Sequence, residues 1–323
     1  MCTAITYQTN NHYFGRNLDL EYTYQESVVV TPRMYSFAFR KLPPLDIHYA
    51  LIGIATVVKG YPLYYDATNE HGLSMAGLNF PGNAVYQNEK TDVDNVTAFE
   101  FIPWILGQCK SVSDAKQKLD RLNMVNVSFS EDFPLSPLHW MISDKQESIV
   151  VEPLEEGIKI YNNPIGVLTN NPPFDFHMHH LHNYLNLTHQ EPENRFSEKI
   201  DLLPYSRGMG AIGLPGDLSS SSRFIRAAFT KLNSQSSGSE EENVTQFFHI
   251  LGAVEMTRGC IKYGDAYEMT IYSSCCNTDK GIYYYKTYNN SQITAVYLFR
   301  EDLNCSKLIS YPLQTNPHFF EVN

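Results

Sequence analysis

The chain opens with Met1-Cys2-Thr3-Ala4-Ile5-Thr6-Tyr7-Gln8-Thr9-Asn10-Asn11-His12-Tyr13-Phe14-Gly15-Arg16-Asn17-Leu18-Asp19, and this stretch decides the fold. Two runs of β-forming residues flank Asn10-Asn11, and asparagine tolerates the positive φ of a two-residue type I′ turn. We therefore predict a β-hairpin in which Thr9 pairs with His12. That register places Cys2 opposite Asp19 and Ile5 opposite Arg16.

The predicted hairpin has two different faces. The face predicted to enter the core is largely apolar and carries Thr3, Ile5, Tyr7, Phe14 and Leu18. The other face is small and polar, as a reaction surface would be, and carries Cys2, Ala4, Thr6, Gly15, Asn17 and Asp19. Strict alternation puts Arg16 on the apolar face. A bulge or an early strand end would be needed to bring Arg16 and Asp19 together at Cys2.

Cys2 is a candidate nucleophile. If an aminopeptidase removes Met1, Cys2 has both a thiol and a free α-amine. Such an amine, with an ordinary pKa of roughly 7.7–8.0, can accept a proton near neutral pH and activate a neighbouring thiol. From these two residues alone, a chance Met-Cys start is the preferred interpretation.

Composition and charge limit the compartment and the partners. The 323 residues are 43% hydrophobic and carry a net charge of −11, which argues against a nucleic acid or an anionic membrane as partner. We find no long apolar run and no signal peptide, so we expect no membrane insertion and a cytoplasmic location. The six cysteines lack a metal-type C-x-x-C pair, and in a reducing compartment we interpret them as free thiols.

The rest of the chain predicts strands in runs and helices in pairs. Predicted strands span residues 26–32, 48–57, 72–81, 138–144, 148–153, 157–161, 166–172, 267–272, 281–285 and 292–298. Predicted helices span 101–106, 111–122, 244–256 and a segment through Arg223 that follows Ser219–Ser222. This order favours an α+β layered sandwich over alternating βαβ units. No linker or repeat divides the chain.

Several polar residues occupy positions that allow chemistry. Asn79 lies near the end of one predicted strand and Asn170 near the end of another, although both could be turn residues. Arg223 lies in the first turn of its helix, where the dipole disfavours a cation, so a nearby group must hold it. Four histidines within residues 177–182 suggest a metal, but no carboxylate or thiolate motif accompanies them, and a solvated helix face is the preferred interpretation.

Five motifs together carry a family resemblance: Met1-Cys2-Thr3, Phe14-Gly-Arg16-Asn-Leu-Asp19, Ala76-Gly-Leu-Asn79-Phe-Pro81, Leu168-Thr-Asn170-Asn-Pro172 and Ser222-Arg223-Phe-Ile-Arg226. In this order and spacing the chain closely resembles the bile salt hydrolases of the choloylglycine hydrolase family, which also contains penicillin V acylases. The resemblance covers essentially the whole chain. It implies the N-terminal nucleophile hydrolase fold, a four-layer αββα sandwich. It also implies one domain over residues 1–323, processing by removal of Met1 alone, and a homotetramer.

The resemblance also implies catalytic roles. Cys2 would be the nucleophile, and Arg16 and Asp19 would hold the thiolate and the α-amine. Asn79 and Asn170 would form the oxyanion hole, and Arg223 would complete the site. The expected reaction is hydrolysis of glycine- or taurine-conjugated bile acids through an acyl-thioester, with no metal or organic cofactor. Arg16 would then lie beside the Cys2 sulfur, through a register break between Arg16 and Asp19.

The steroid would need an apolar cleft. The candidate lining residues are Leu18, Tyr24, Val58, Tyr65, Phe129 and Phe133. Each of these, taken alone, is more often a packing residue than a pocket residue. Two alternatives remain open: a penicillin V acylase, which uses the same chemistry on another acyl group, and a non-catalytic sterol-binding protein that merely keeps the fold.

Overall fold

The structure is a computed structural model that describes residues 1–323. The first nine strands are Cys2–Gln8 (β1), His12–Leu20 (β2), Ser27–Thr31 (β3), Leu51–Val58 (β4), Tyr61–Asn69 (β5), Ser74–Asn79 (β6), Asp94–Thr97 (β7), Leu122–Val125 (β8) and Leu138–Ser143 (β9). Nine more follow: Ser148–Leu154 (β10), Gly157–Asn162 (β11), Val167–Leu168 (β12), Lys262–Tyr263 (β13), Ala266–Tyr267 (β14), Met269–Asn277 (β15), Ile282–Thr287 (β16), Thr294–Tyr297 (β17) and Ile309–Pro312 (β18).

Five α-helices complete the fold: Phe101–Leu106 (α1), Val112–Leu119 (α2), Phe174–His180 (α3), Ser220–Asn233 (α4) and Glu240–Gly252 (α5). Short 3-10 turns span Ala98–Glu100, Leu181–Tyr184, Met209–Ala211 and Leu298–Arg300. Serine residues cap two of these helices. The side chain of Ser111 accepts the Asp114 N–H, and that of Ser219, within the predicted Ser219–Ser222 run, accepts the Ser222 N–H. The α5 helix begins earlier than predicted, since Ser239 caps it.

Two antiparallel sheets form the centre of the molecule. The six-stranded sheet has the order β12-β1-β2-β15-β16-β17, and the eight-stranded sheet has the order β11-β10-β9-β6-β5-β4-β3-β18. The short pairs β13-β14 and β7-β8 stand apart, and β7-β8 is parallel.

Alternating side chains on the strands build two cores. Val28 and Val30 of β3 belong to the larger core, which contains residues of both sheets and of the helices α4 and α5. Val29, on the other face of β3, belongs to the second core, which contains residues of α1 and α2. The layers are therefore helix, sheet, sheet, helix. This confirms the predicted α+β, four-layer αββα sandwich. No helix is both long and apolar enough to cross a membrane.

The hairpin forms, but its predicted register is wrong by one residue. Gln8 pairs with His12, which leaves a three-residue loop, Thr9–Asn11. Neither Asn10 nor Asn11 has the positive φ that a type I′ turn requires. The Thr9 N–H instead donates to the Asn11 carbonyl at 2.9 Å. The His12 N–H donates to Asp279 Oδ2 at 2.7 Å, which ties the start of β2 to the β15–β16 turn.

The corrected register changes both faces of the hairpin. Cys2 pairs with Leu18 rather than Asp19, and Ala4 pairs with Arg16. Directly paired residues share a face, so Arg16 lies on the face of Cys2 without any break in the β1–β2 ladder. The predicted break between Arg16 and Asp19 is thus wrong for this ladder. A register shift occurs on the other side of β2, between Thr270 and Tyr272 of β15.

The span that carried no firm prediction, residues 174–204, contains α3 and a loop. The histidine cluster divides there: His177 is buried, whereas His179 and His182 are exposed. The preferred interpretation, a solvated helix face, is therefore wrong for His177. No group of three or more His, Cys, Asp or Glu side chains has the geometry to hold a metal ion.

Candidate active site

Cys2 begins β1 at the interface between the two sheets and is only 2% exposed. Its backbone is held on both sides. The N–H donates to Asn170 Oδ1 at 2.8 Å, and the carbonyl oxygen accepts from Arg223 Nη1 at 2.5 Å. The side chain lines a cavity between the sheets. Cys2 therefore has a fixed backbone and a side chain that faces an open space.

Arg16 is fully buried on the same face and lines the same cavity. Its Nη1 donates to the carbonyl oxygens of Tyr65 at 3.0 Å and Gly77 at 2.5 Å, so β5 and β6 of the opposite sheet hold the guanidinium. Nη2 has no hydrogen-bond partner. Burial acts to lower the pKa of Arg16, but Cys2 and other nearby acidic side chains raise it overall. A permanent cation thus lies beside the thiol.

Asp19 is fully buried on the opposite face of β2. Its Oδ1 accepts from Thr270 Oγ1 at 2.6 Å, and Oδ2 has no partner. Burial raises the pKa of Asp19, and the opposing charges of Arg223 and the N-terminal amine act against this rise. The amine of Met1 donates to the Asp19 carbonyl at 2.8 Å and contacts the Glu268 carboxylate. The N-terminal amine is therefore paired with the Glu268 carboxylate, and its charge also acts on the Asp19 carboxyl.

A hydrogen bond joins Asn79 and Asn170. Asn170 Nδ2 donates to the Asn79 carbonyl oxygen at 2.7 Å, which joins the end of β6 to the segment after β12. Asn79 lines the cavity with Cys2. Asn170 Nδ2 carries a second hydrogen that this contact does not use.

Arg223, on α4, links the parts of the site. Besides the Cys2 carbonyl, its Nη1 donates to Thr3 Oγ1 at 2.7 Å, and its Nη2 donates to Asn170 Oδ1 at 2.7 Å. Burial lowers the pKa of Arg223, and the nearby Asp19 carboxylate opposes this effect. The helix dipole disfavours a cation in the first turn, and these hydrogen-bond acceptors hold the Arg223 guanidinium there.

The cavity has a volume of about 290 Å³ and is lined by 21 residues, of which 14 are hydrophobic. It is therefore mostly apolar, with Cys2, Arg16 and Asn79 at its polar part. Five of the six predicted pocket residues line it: Leu18, Tyr24, Tyr65, Phe129 and Phe133. Val58 does not. It lies at the end of β4, where it pairs with Tyr61, and so falls beyond the cavity.

Sequence reasoning missed several residues of the site. Thr3 Oγ1 accepts a hydrogen bond from Arg223, and Ser220 Oγ accepts one from the Asn170 backbone N–H. Phe99, Leu135 and Trp140 line the cavity. Phe99 lies in the short 3-10 turn directly before α1. The others come from distant elements whose approach depends on the packing of the two sheets.

Comparison with known proteins gives the family. The linear amide C-N hydrolases, choloylglycine hydrolase family, match residues 2–311. The chain belongs to this family. It is therefore an amide C–N hydrolase.

Relatives of this hydrolase family match over the full chain. A protein named bile salt hydrolase/transferase from Lactiplantibacillus plantarum is 59% identical, with 100% of both chains covered. A crystal structure of a mutant conjugated bile acid hydrolase from Clostridium perfringens is 37% identical, with a TM-score of 0.93 and 100% of both chains covered.

A more distant solved structure is penicillin V acylase from Agrobacterium tumefaciens. It is 18% identical, with a TM-score of 0.76 over 98% of this chain and 92% of that one. At this identity the match concerns the fold alone.

Proposed function

We propose that this protein hydrolyses the amide bond of glycine- or taurine-conjugated bile acids. The observation that carries the proposal is the largely apolar cavity with Cys2, Arg16 and Asn79 at its polar part, in a chain 59% identical to a bile salt hydrolase/transferase. An apolar steroid suits the aromatic lining, and the amide carbonyl would lie at the Cys2 thiol.

The mechanism begins when Met1 is removed. The α-amine of Cys2 takes the thiol proton, and Arg16 favours the thiolate that forms. The free Oδ2 of Asp19 supports a role in holding the resulting ammonium group. Sulfur attacks the amide carbonyl, and Asn79 and Asn170 stabilise the oxyanion.

Collapse of the tetrahedral intermediate breaks the C–N bond. The Cys2 ammonium group returns its proton to the leaving nitrogen, which departs as glycine or taurine. Water then attacks the acyl-thioester, releases the free bile acid and restores the thiol. The groups that act in this cycle belong to Cys2, Arg16, Asp19, Asn79 and Asn170, and Arg223 holds Cys2 and Asn170 in place.

The test is ninhydrin detection of glycine or taurine released from both conjugates, with penicillin V as a third substrate and Cys2→Ser as the control. We expect release from the conjugates by the parent enzyme only. Penicillin V as the sole substrate would support the alternative acylase, whose solved structure matches this chain in fold alone. A folded protein that binds bile salts and releases nothing would be the sterol-binding alternative.

Acyl transfer to an amine is a second candidate activity, since the name of the relative from Lactiplantibacillus plantarum includes a transferase. An amine would attack the thioester in place of water, forming a new amide and freeing the Cys2 thiol. Mass spectrometry of reactions with a conjugate and an added amino acid would detect the new conjugate. Its absence at high amine concentration would exclude this activity.

We further propose a homotetramer built from one domain over residues 1–323. Shared packing supports the single domain, because one core joins residues of both sheets. The loop of residues 188–210 supports assembly because it exposes large apolar side chains: Phe196 is 84% exposed and Tyr205 is 85% exposed. Exposed groups of this size are typical of protein interfaces. Light scattering on the parent and on a Phe196→Ser, Tyr205→Ser variant tests this, with the tetramer lost in the variant.

We also infer a cytoplasmic location. All six cysteines are free thiols, as in proteins of reducing compartments. Cell fractionation tests this directly, and recovery of the enzyme outside the cytoplasmic fraction would contradict it.

A further inference from the structure

A buried His139–Glu152 pair lies behind the two proposed oxyanion residues. Both side chains are completely buried, and His139 Nδ1 lies 3.0 Å from Glu152 Oε1. Neither group has a place in the hydrolytic cycle described above. Burying a histidine and a carboxylate is costly unless both are bonded, so their contacts indicate what they hold.

His139 contacts both segments that carry the proposed oxyanion donors. Its Nε2 donates to the Thr169 carbonyl at 2.9 Å, one residue before Asn170. Its ring stacks on Phe80, one residue after Asn79, with centroids 4.2 Å apart and planes within 5°. One imidazole therefore touches the ends of β6 and β12 at the point where they meet.

Glu152 connects this contact to a second histidine. Its Oε1 also accepts from the N–H of Phe174, the first residue of α3, at 3.0 Å. The same helix carries His177, whose Nε2 donates to the Asn170 carbonyl at 2.9 Å. Consecutive carbonyls, of Thr169 and Asn170, are thus each held by a buried histidine.

We propose that His139, oriented by Glu152, is a positioning residue that fixes the distance between Asn79 and Asn170. The inference rests on the proposed function, because it concerns the oxyanion site of that reaction. His139 acts through the asparagines and does not touch the substrate. Misplacing reacting groups by about 1 Å can cost on the order of 10²-fold in rate.

The variant that tests this is His139→Gln, because a single amide cannot reach Glu152 and Thr169 and stack on Phe80. We expect kcat to fall by about 10- to 100-fold with KM nearly unchanged, since the loss concerns the transition state. Alkylation of Cys2 by iodoacetamide should proceed at the parent rate, because the nucleophile is not affected.

The matched control is His48→Gln. His48 is also buried, its ring nitrogens face the carbonyls of Tyr49 at 2.7 Å and Tyr35 at 2.8 Å, and it lies 4.8 Å from Phe37. It contacts no residue of the site. We expect this variant to lose stability and to keep the parent kcat.

A double-mutant cycle with Asn170→Ala separates positioning from general damage. If His139 acts through Asn170, the loss caused by His139→Gln should nearly vanish in the Asn170→Ala background. An equal loss in both backgrounds, or an equal loss of kcat in His48→Gln, would overturn the proposal. If His139→Gln does not fold, Glu152→Gln carries the same cycle.

Failure of the proposed function would look different. The parent enzyme would then release neither glycine nor taurine, and the cycle would be run on whichever amide it does hydrolyse. With that substrate, the kcat loss caused by His139→Gln in the parent would still be compared with its loss in the Asn170→Ala background, and this comparison decides the role of His139.

Discussion

The backbone nitrogen of Cys2 donates a hydrogen bond to Oδ1 of Asn170 at 2.8 Å. While Met1 remains attached, this nitrogen belongs to a peptide bond and cannot act as a base. We therefore predict that inserting a lysine between Met1 and Cys2, which prevents exposure of the cysteine amine, abolishes hydrolysis. Intact mass should show the parent chain beginning at Cys2. Full activity of a chain that retains Met1 would contradict the mechanism.

Replacing the sulfur tests the nucleophile separately. Cys2→Ser should lose nearly all turnover, because a hydroxyl is far less acidic than a thiol and gains less from the same amine. The fold should survive, since near-isosteric changes in a core usually cost less than about 1.5 kcal/mol. Circular dichroism and the ninhydrin assay check both parts. Near-normal hydrolysis would remove the thiolate from the mechanism.

Removing the Asn170 side chain tests the oxyanion site. We expect Asn170→Ala to lower kcat by on the order of 10²–10³-fold, as loss of one oxyanion donor does elsewhere, with a smaller change in KM. Steady-state kinetics on one conjugate provides the measurement. A change in KM alone would make Asn170 a substrate-binding residue instead.

Arg223 should not be replaceable by lysine. Its three nitrogens reach Cys2, Thr3, Asn170 and the Leu218 carbonyl at once, which a single ammonium cannot do. Arg223→Lys should lower the free energy of unfolding by about 1–3 kcal/mol, since some of these buried oxygen acceptors lose their donor. Urea unfolding measures this. The matched change Arg195→Lys, at an exposed arginine, should have little effect.

Acid should destabilise the fold through its buried histidines. Burial lowers the pKa of His177 to about 4, from 6.5. The unfolded chain therefore takes up a proton near pH 6.5 that the folded chain resists until about pH 4, so stability falls as pH falls through this window. His177→Gln should flatten the decline between pH 6.5 and pH 4 by roughly 2–3 kcal/mol. An unchanged slope in urea unfolding at these pH values would contradict this.

Most of the strands and helices could be predicted because their signals are local. Alternation along β3 and the serine caps of α2 and α4 each depend on neighbouring residues. The hairpin register could not be predicted, since Asp279, far away in the chain, captures the His12 N–H. Val58 was misplaced and Trp140 missed for a similar reason, because the cavity lies where two sheets meet. The catalytic roles came from family resemblance rather than from periodicity.

The length of the Thr9–Asn11 loop determines the register between the two strands that it joins. Cys2 lies six residues from Gln8, so the loop is roughly 20 Å from the nucleophile, yet it determines that Arg16 rather than Asn17 shares the face of Cys2. Loops usually tolerate insertions. Here, one extra residue that shifted β2 by one position would turn Arg16 to the other face and bring the amide of Asn17 to the face of Cys2. A change in the length of this distant surface loop would therefore act on catalysis through the strand register.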